Sequence, residues 1–161
     1  MDREHAELSS LLGQILSARG WTLATAESCT GGLLAGAITA TAGSSGWFDR
    51  GFVTYSNESK VELLGVSPAT LACHGAVSEE TALEMADGAI AHSHADVAIA
   101  ITGIAGPDGG STAKPVGMVW LAWQQRNGNG DAKVHCFFGD REAVRHQAVT
   151  IALERLIALA K

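Results

Sequence analysis

Residues 21–43, WTLATAESCTGGLLAGAITATAG, decide the fold. The first eight are short, β-rich and end in a cluster of groups suited to capping, whereas residues 30–43 carry the small side chains of a helix packed closely on a sheet. A strand that runs straight into a helix is the β-to-helix turn of an α/β protein.

The alternation continues on both sides. Upstream, MDREHAELSSLLGQILSARG (1–20) places Leu8, Leu11, Leu12 and Ile15 at helical spacing between charged ends, which predicts an amphipathic helix and not a secretory signal. Downstream, GFVTYS (51–56) predicts a second strand, and NESKVELLG (57–65) a short helix capped by Asn57 and stopped at Gly65. Residues 67–78, SPATLACHGAVS, read as irregular. From Ser78 to about His92, a Ser-Glu-Glu-Thr start is followed by Ala82, Met85, Ala86, Ala89 and Ile90 on one helical face. DVAIAIT (96–102) is apolar almost without alternation, as in a strand buried on both faces. After the glycine-rich stretch GIAGPDGGSTAKP, the segments VGMVWLAWQQ and AKVHCFF flank RNGNGD as a hairpin, and a helix capped by Asp140 follows. The prediction is a three-layer α/β/α sandwich with a mixed, mainly parallel sheet and one C-terminal β-hairpin.

Composition narrows the function. At 161 residues and 47% hydrophobic, the chain is expected to form a single domain over 1–161. Eleven Lys and Arg against 17 Asp and Glu give a formal net charge of -6, which opposes nonspecific attraction to nucleic acid. No apolar stretch is long and uninterrupted enough to span a bilayer. Cys29, Cys73 and Cys136 have neither metal-ligand nor disulfide-framework spacing, which suits a reducing, cytoplasmic setting. His92 and His94, two apart, diverge on a helix and cannot chelate together, so no metal site is expected.

In an α/β sheet, ligands gather beyond the carboxyl ends of the strands, and three informative stretches fall there: AESCTGG (26–32), YSNESK (55–60) and TGIAGPDGG (102–110). In the first, Ser28 and Thr30 suit either plain capping or a nucleophile beside amides of the turn, which Gly31 and Gly32 leave open to close approach. Glu27 reads equally as a buried paired carboxylate or a surface group, and Cys29 as a small interior filler. A serine nucleophile needs a base; Tyr55 and Lys60 stand on a neighbouring element, although an isolated helical lysine reads first as solvated and a single tyrosine as core. Serine-lysine enzymes with S-x-x-K spacing are excluded at Ser28, where the third residue on is Gly31. The loop with Thr102, Gly103, Gly106 and Asp108 is not a Walker loop, yet its glycines suit a backbone that approaches a ligand. On the last helix, Leu156, Leu153 and Val149 lead back by helical spacing to Arg145 and Arg141, so a guanidinium there is either paired with a carboxylate or reserved for an anion.

AESCTGG, YSNESK, GAVSEETALEMA, ITGIAGPDGG and GDREAVR, in this order and over nearly the whole chain, resemble the nicotinamide-nucleotide amidases, also called the C-terminal domain of the CinA competence-damage proteins. Longer members add an N-terminal pyrophosphatase-type domain, and this chain resembles the stand-alone form. The resemblance implies hydrolysis of the carboxamide of nicotinamide mononucleotide in pyridine-nucleotide recycling. It implies no metal or organic cofactor, no nucleic-acid or membrane partner, and a homodimer or larger homo-oligomer. It matches Ser28 to the nucleophile and Tyr55 and Lys60 to its proton-handling partners. Thr30, Gly31, Gly32, Thr102, Gly103 and Gly106 fall where the family binds substrate, and Arg141 and Arg145 match candidates for the phosphate. A non-catalytic nucleotide-binding or sensor module, and an amidase for another small amide, are the alternatives.

Overall fold

Alanine alternates with larger residues along the inner strands, and this alternation sorts the two faces of the sheet. The computed structural model describes residues 2–161. Strands β1 (Leu23–Glu27), β2 (Phe48–Val53), β3 (Val97–Gly103), β4 (Met118–Gln125) and β5 (Gly130–Cys136) form one sheet in the order β2-β1-β3-β4-β5. β1 pairs in parallel with β2 and β3, whereas β3–β4 and β4–β5 are antiparallel, so β4 alone runs against the others. The mixed sheet and its hairpin are as expected.

On one face Leu23, Ile99, Ile101, Val119 and Leu121 pack against helices α1 (Arg3–Arg19), α2 (Leu33–Thr39) and α6 (Arg141–Ala160). On the other, Ala24, Ala26, Ala98, Ala100 and Ala122 meet α5 (Glu79–Ala91), with residues from α3 (Asn57–Leu64) and α4 (Pro68–His74) in the same cluster. Each large side chain withdrawn from water contributes about 1.5–3 kcal/mol. The alanine face contributes less area and instead lets α5 approach closely. All five residues expected on the inner face of α5 are buried. Gly88 is where this helix meets α3: an added Cβ would stand 1.9 Å from the Leu64 carbonyl oxygen. Gly88→Ala should therefore destabilise the fold by about 3 kcal/mol, the upper range for an overpacked core, read as a lowered denaturation midpoint.

Four local expectations change. Ser67 caps α4 with Pro68 in its first turn, so the stretch read as irregular is helical over Pro68–His74. Ser56, not Asn57, caps α3, its hydroxyl accepting from the Ser59 amide; Gly65 ends that helix in a left-handed conformation as expected. β2 starts earlier than GFVTYS, at Phe48, and ends at Val53. On α1, Leu12 is buried and Leu8 and Ile15 pack against the core as expected, but Leu11 is left 41% exposed, and Gly13 admits the Trp47 indole, which an added Cβ would meet at 2.7 Å. Asp140 caps α6 by accepting from the Ala143 amide. Among the described residues, no helix is long and apolar enough to cross a membrane.

Candidate functional site

β1 and β3 lie side by side at the centre of the sheet, but their following chain segments leave in different directions, which opens a crevice at their carboxyl ends. Ser28 directly follows β1, and Thr102 is the last residue but one of β3. Positive φ angles at Gly31 (56°) and Gly32 (100°) turn the chain sharply between Ser28 and α2. A Cβ at Gly31 would lie in ordinary contact with the Arg145 guanidinium, at 3.4 Å.

Glu27 secures this turn. It is 1% exposed, and its carboxylate accepts from the Thr30 hydroxyl (2.6 Å) and from the amides of Leu34 (2.9 Å) and Ala35 (3.0 Å). Of the two roles open to Glu27, the buried one holds: it neutralises the start of α2. The Gly31 amide donates to the Ser28 carbonyl at 3.0 Å. Among the described residues, the turn's amides without an acceptor are those of Cys29, Thr30 and Gly32.

Lys60 reaches this turn from α3 and is 1% exposed, against its first reading as a solvated lysine. Its Nζ lies 3.1 Å from Ser28 Oγ, 2.8 Å from the Thr54 carbonyl and 3.3 Å from the Tyr55 carbonyl. Among the described residues no carboxylate pairs with it. Burial pushes its pKa below the ordinary lysine range, with a small opposing influence from Cys29. A neutral amine has two N–H groups and one lone pair, which match two carbonyls and one hydroxyl proton. The cage thus holds the lysine equally well as a proton acceptor. Cys29, buried beside it, has its thiol pushed up to about 11 by burial and stays protonated at neutral pH, as befits a packing residue.

The remaining predicted residues surround the same place with different tasks. Tyr55 is 61% exposed rather than core; its phenol oxygen accepts from Arg141 at 2.9 Å, and only its carbonyl touches Lys60. Arg141 also donates to the Gly106 carbonyl at 2.8 Å, tying the α6 start to the glycine loop. Arg145 has no carboxylate partner among the described residues and instead donates to the carbonyls of Cys29 (3.0 Å) and Thr30 (3.4 Å). Thr102 is buried with its hydroxyl on the Ala76 carbonyl, and Gly103 sits against Val119, where a Cβ would meet side chain and backbone below 3 Å.

Ser28, Tyr55, Lys60, Thr102, Gly103, Gly106 and Arg141 line one cavity of about 280 Å³. Ala76 and Val77 form part of its wall, which sequence reasoning missed because their segment showed no periodicity. A larger groove of about 1350 Å³ adjoins it, sharing Ala105, Gly106 and Arg141 and running past Gly31, Gly32 and Arg145 between the starts of α1, α2 and α6. The smaller space suits a compact reacting head, and the larger groove, where Arg141 and Arg145 stand beside Asp2, Asp140 and Glu142, leaves room for the rest of a polar molecule.

Comparison with known proteins identifies the family and the fold. The model of the family described as "CinA C-terminal domain" matches residues 5–160. "Nicotinamide-nucleotide amidohydrolase PncC" of Escherichia coli (strain K12) is 57% identical over 155 residues, covering 96% of this chain and 94% of the relative. The protein of the same name from Pseudomonas putida is 50% identical, with 94% of each chain covered. The crystal structure of competence/damage inducible protein CihA from Agrobacterium tumefaciens superposes with a TM-score of 0.97 at 49% identity, covering 100% of this chain and 98% of that one.

Proposed function

The chain belongs to the CinA C-terminal domain family, and from that premise we propose that it hydrolyses the carboxamide of nicotinamide mononucleotide to nicotinate mononucleotide and ammonia, with Ser28 as nucleophile and Lys60 as base. The observation that carries this reading is the uncompensated, buried Lys60 Nζ at 3.1 Å from Ser28 Oγ. The names of the relatives support the substrate.

Neutral Lys60 takes the Ser28 proton as Oγ attacks the amide carbon. The carbonyl oxygen becomes an oxyanion, for which the free amides of Cys29 and Thr30 are the donors. The Gly31 amide is not available for this, since it is already used within the turn. Collapse breaks the C–N bond, and the proton on Lys60 leaves with the ammonia, restoring the neutral amine beside a serine ester. Water then attacks the ester; Lys60 takes its proton and returns one to Ser28 Oγ as nicotinate mononucleotide departs. The transfer is direct, because the Tyr55 phenol is engaged with Arg141.

Glu27 occupies the first amides of α2, so that helix end is closed to an anion and the phosphate is directed into the groove towards α6. Arg141 lines both spaces and meets it there. Arg141→Ala should raise KM for the mononucleotide by roughly 10- to 100-fold, the worth of a charged hydrogen bond, and spare nicotinamide riboside. Arg145→Ala should reduce turnover of both substrates, because it frees the carbonyls of the nucleophile turn; equal KM effects of the two variants on both substrates would contradict this division. The primary test is stoichiometric release of ammonia and nicotinate mononucleotide from the mononucleotide by the purified protein. Ligand binding without ammonia would favour the sensor alternative.

A further inference from the structure

Asp2, His5 and His146 bring one potential ligand atom each to within 4.8 Å of one another, on the wall of the larger groove. His5 Nδ1 lies 3.3 Å from Asp2 Oδ2, and His146 Nε2 is hydrogen-bonded to that same oxygen. The second Asp2 oxygen is already used, accepting from the His5 amide at 2.8 Å as the cap of α1. The two imidazoles stack with centroids 4.2 Å apart, and His5 is buried while His146 and Asp2 are part-exposed towards the groove.

Proton counting sharpens what the trio asks for. The Thr150 hydroxyl lies 2.8 Å from His5 Nε2 and donates to the His146 carbonyl at 3.2 Å. A hydroxyl has one proton, so when Thr150 donates to the His146 carbonyl, His5 Nε2 donates to Thr150 and Nδ1 is left with a lone pair facing the carboxylate, the form a metal-bound imidazole takes. A cation standing between that lone pair and the carboxylate satisfies both. The Thr150 bond is also the kind of outer contact that fixes the tautomer and ring orientation of a metal-bound imidazole.

We propose that Asp2, His5 and His146 form a binding site for a divalent cation of the zinc class, open to the groove. Two imidazoles and one carboxylate are a borderline-soft donor set that suits Zn²⁺, and three protein ligands leave a fourth position for water or an anion. The expectation of no metal considered His92 and His94, neighbours in sequence; here the two histidines come from opposite ends of the chain. The ion would join the start of α1 to α6, and the site stands independently of the Ser28 chemistry.

The test uses untagged, chelator-stripped protein carrying Cys73→Ser and Cys136→Ser, since those exposed thiols also bind zinc. Calorimetric titration with Zn²⁺ should show one saturable site, and a hundredfold excess over Kd should raise Tm by about 5–10 °C. His146→Ala, at a part-exposed position that the fold tolerates, should weaken binding at least tenfold, and Asp2→Asn, which keeps a cap at α1, should do the same. Absence of saturable binding in the parent, or parental affinity in both variants, overturns the proposal.

Discussion

Replacing Ser28 with alanine should lower turnover of nicotinamide mononucleotide by on the order of 10⁴-fold or more, the loss seen when a covalent nucleophile is removed and only binding and oxyanion stabilisation remain. Binding should survive, because the groups assigned to the phosphate lie on α6 and not on the turn. The variant keeps the Glu27 contacts that hold the turn, so its melting temperature should stay near that of the parent. Ammonia release above about a tenth of the parental rate would remove Ser28 from the chemistry. Cys29 does not substitute for it, since burial keeps its thiol protonated.

Lys60→Met should cost 10²- to 10⁴-fold, roughly the worth of a positioned general base. The change keeps the length of an apolar stem and removes only the amine. Two effects on stability oppose one another: a buried cation without a counter-charge is relieved, while the Thr54 and Tyr55 carbonyls lose their donor. The melting temperature should therefore move little beside the loss of activity.

The pH dependence has a fixed sign. Burial lowers the Lys60 pKa from 10.5, so the competent neutral form accumulates as pH rises, and kcat/KM should climb along an acid limb centred below 10.5. In that same window the unfolded chain binds a proton that the folded chain does not, so stability also rises with pH until the unfolded lysine has itself deprotonated. Lys60→Met should flatten both dependences. A limb that persists unchanged in the variant would assign it to another group.

Much of this architecture was legible because the signals were local. Capping groups, glycine stops and apolar periodicity marked α5, β3, the hairpin and α6. α4 escaped because its seven residues bury none of their number, leaving no apolar period to detect, although Ser67-Pro68 is a helix start in its own right. On α1 only Leu11 of the expected stripe faces water, because the inner face also includes Gly13, whose missing side chain admits an indole and gives no apolar signal. In the site, motif order brought Ser28, Tyr55 and Lys60 to one crevice, but no local signal distinguishes a caged lysine from a solvated one. The cage consists of main-chain carbonyls, and their direction exists only after folding. The same holds for Arg145, whose partners are two carbonyls from the far side of the chain.

The two faces of the sheet differ in what alteration they can absorb. α3, which holds the base, belongs with the alanine side and packs on α5, where a methyl added at Gly88 meets the Leu64 carbonyl. The starts of α1, α2 and α6, which border the groove for the tail, belong with the side built from leucine, isoleucine and valine, whose volumes can be exchanged at small cost. Divergence in which nucleotide tail is accepted can thus proceed by drift on one side of the sheet, while the reaction is inherited intact on the other.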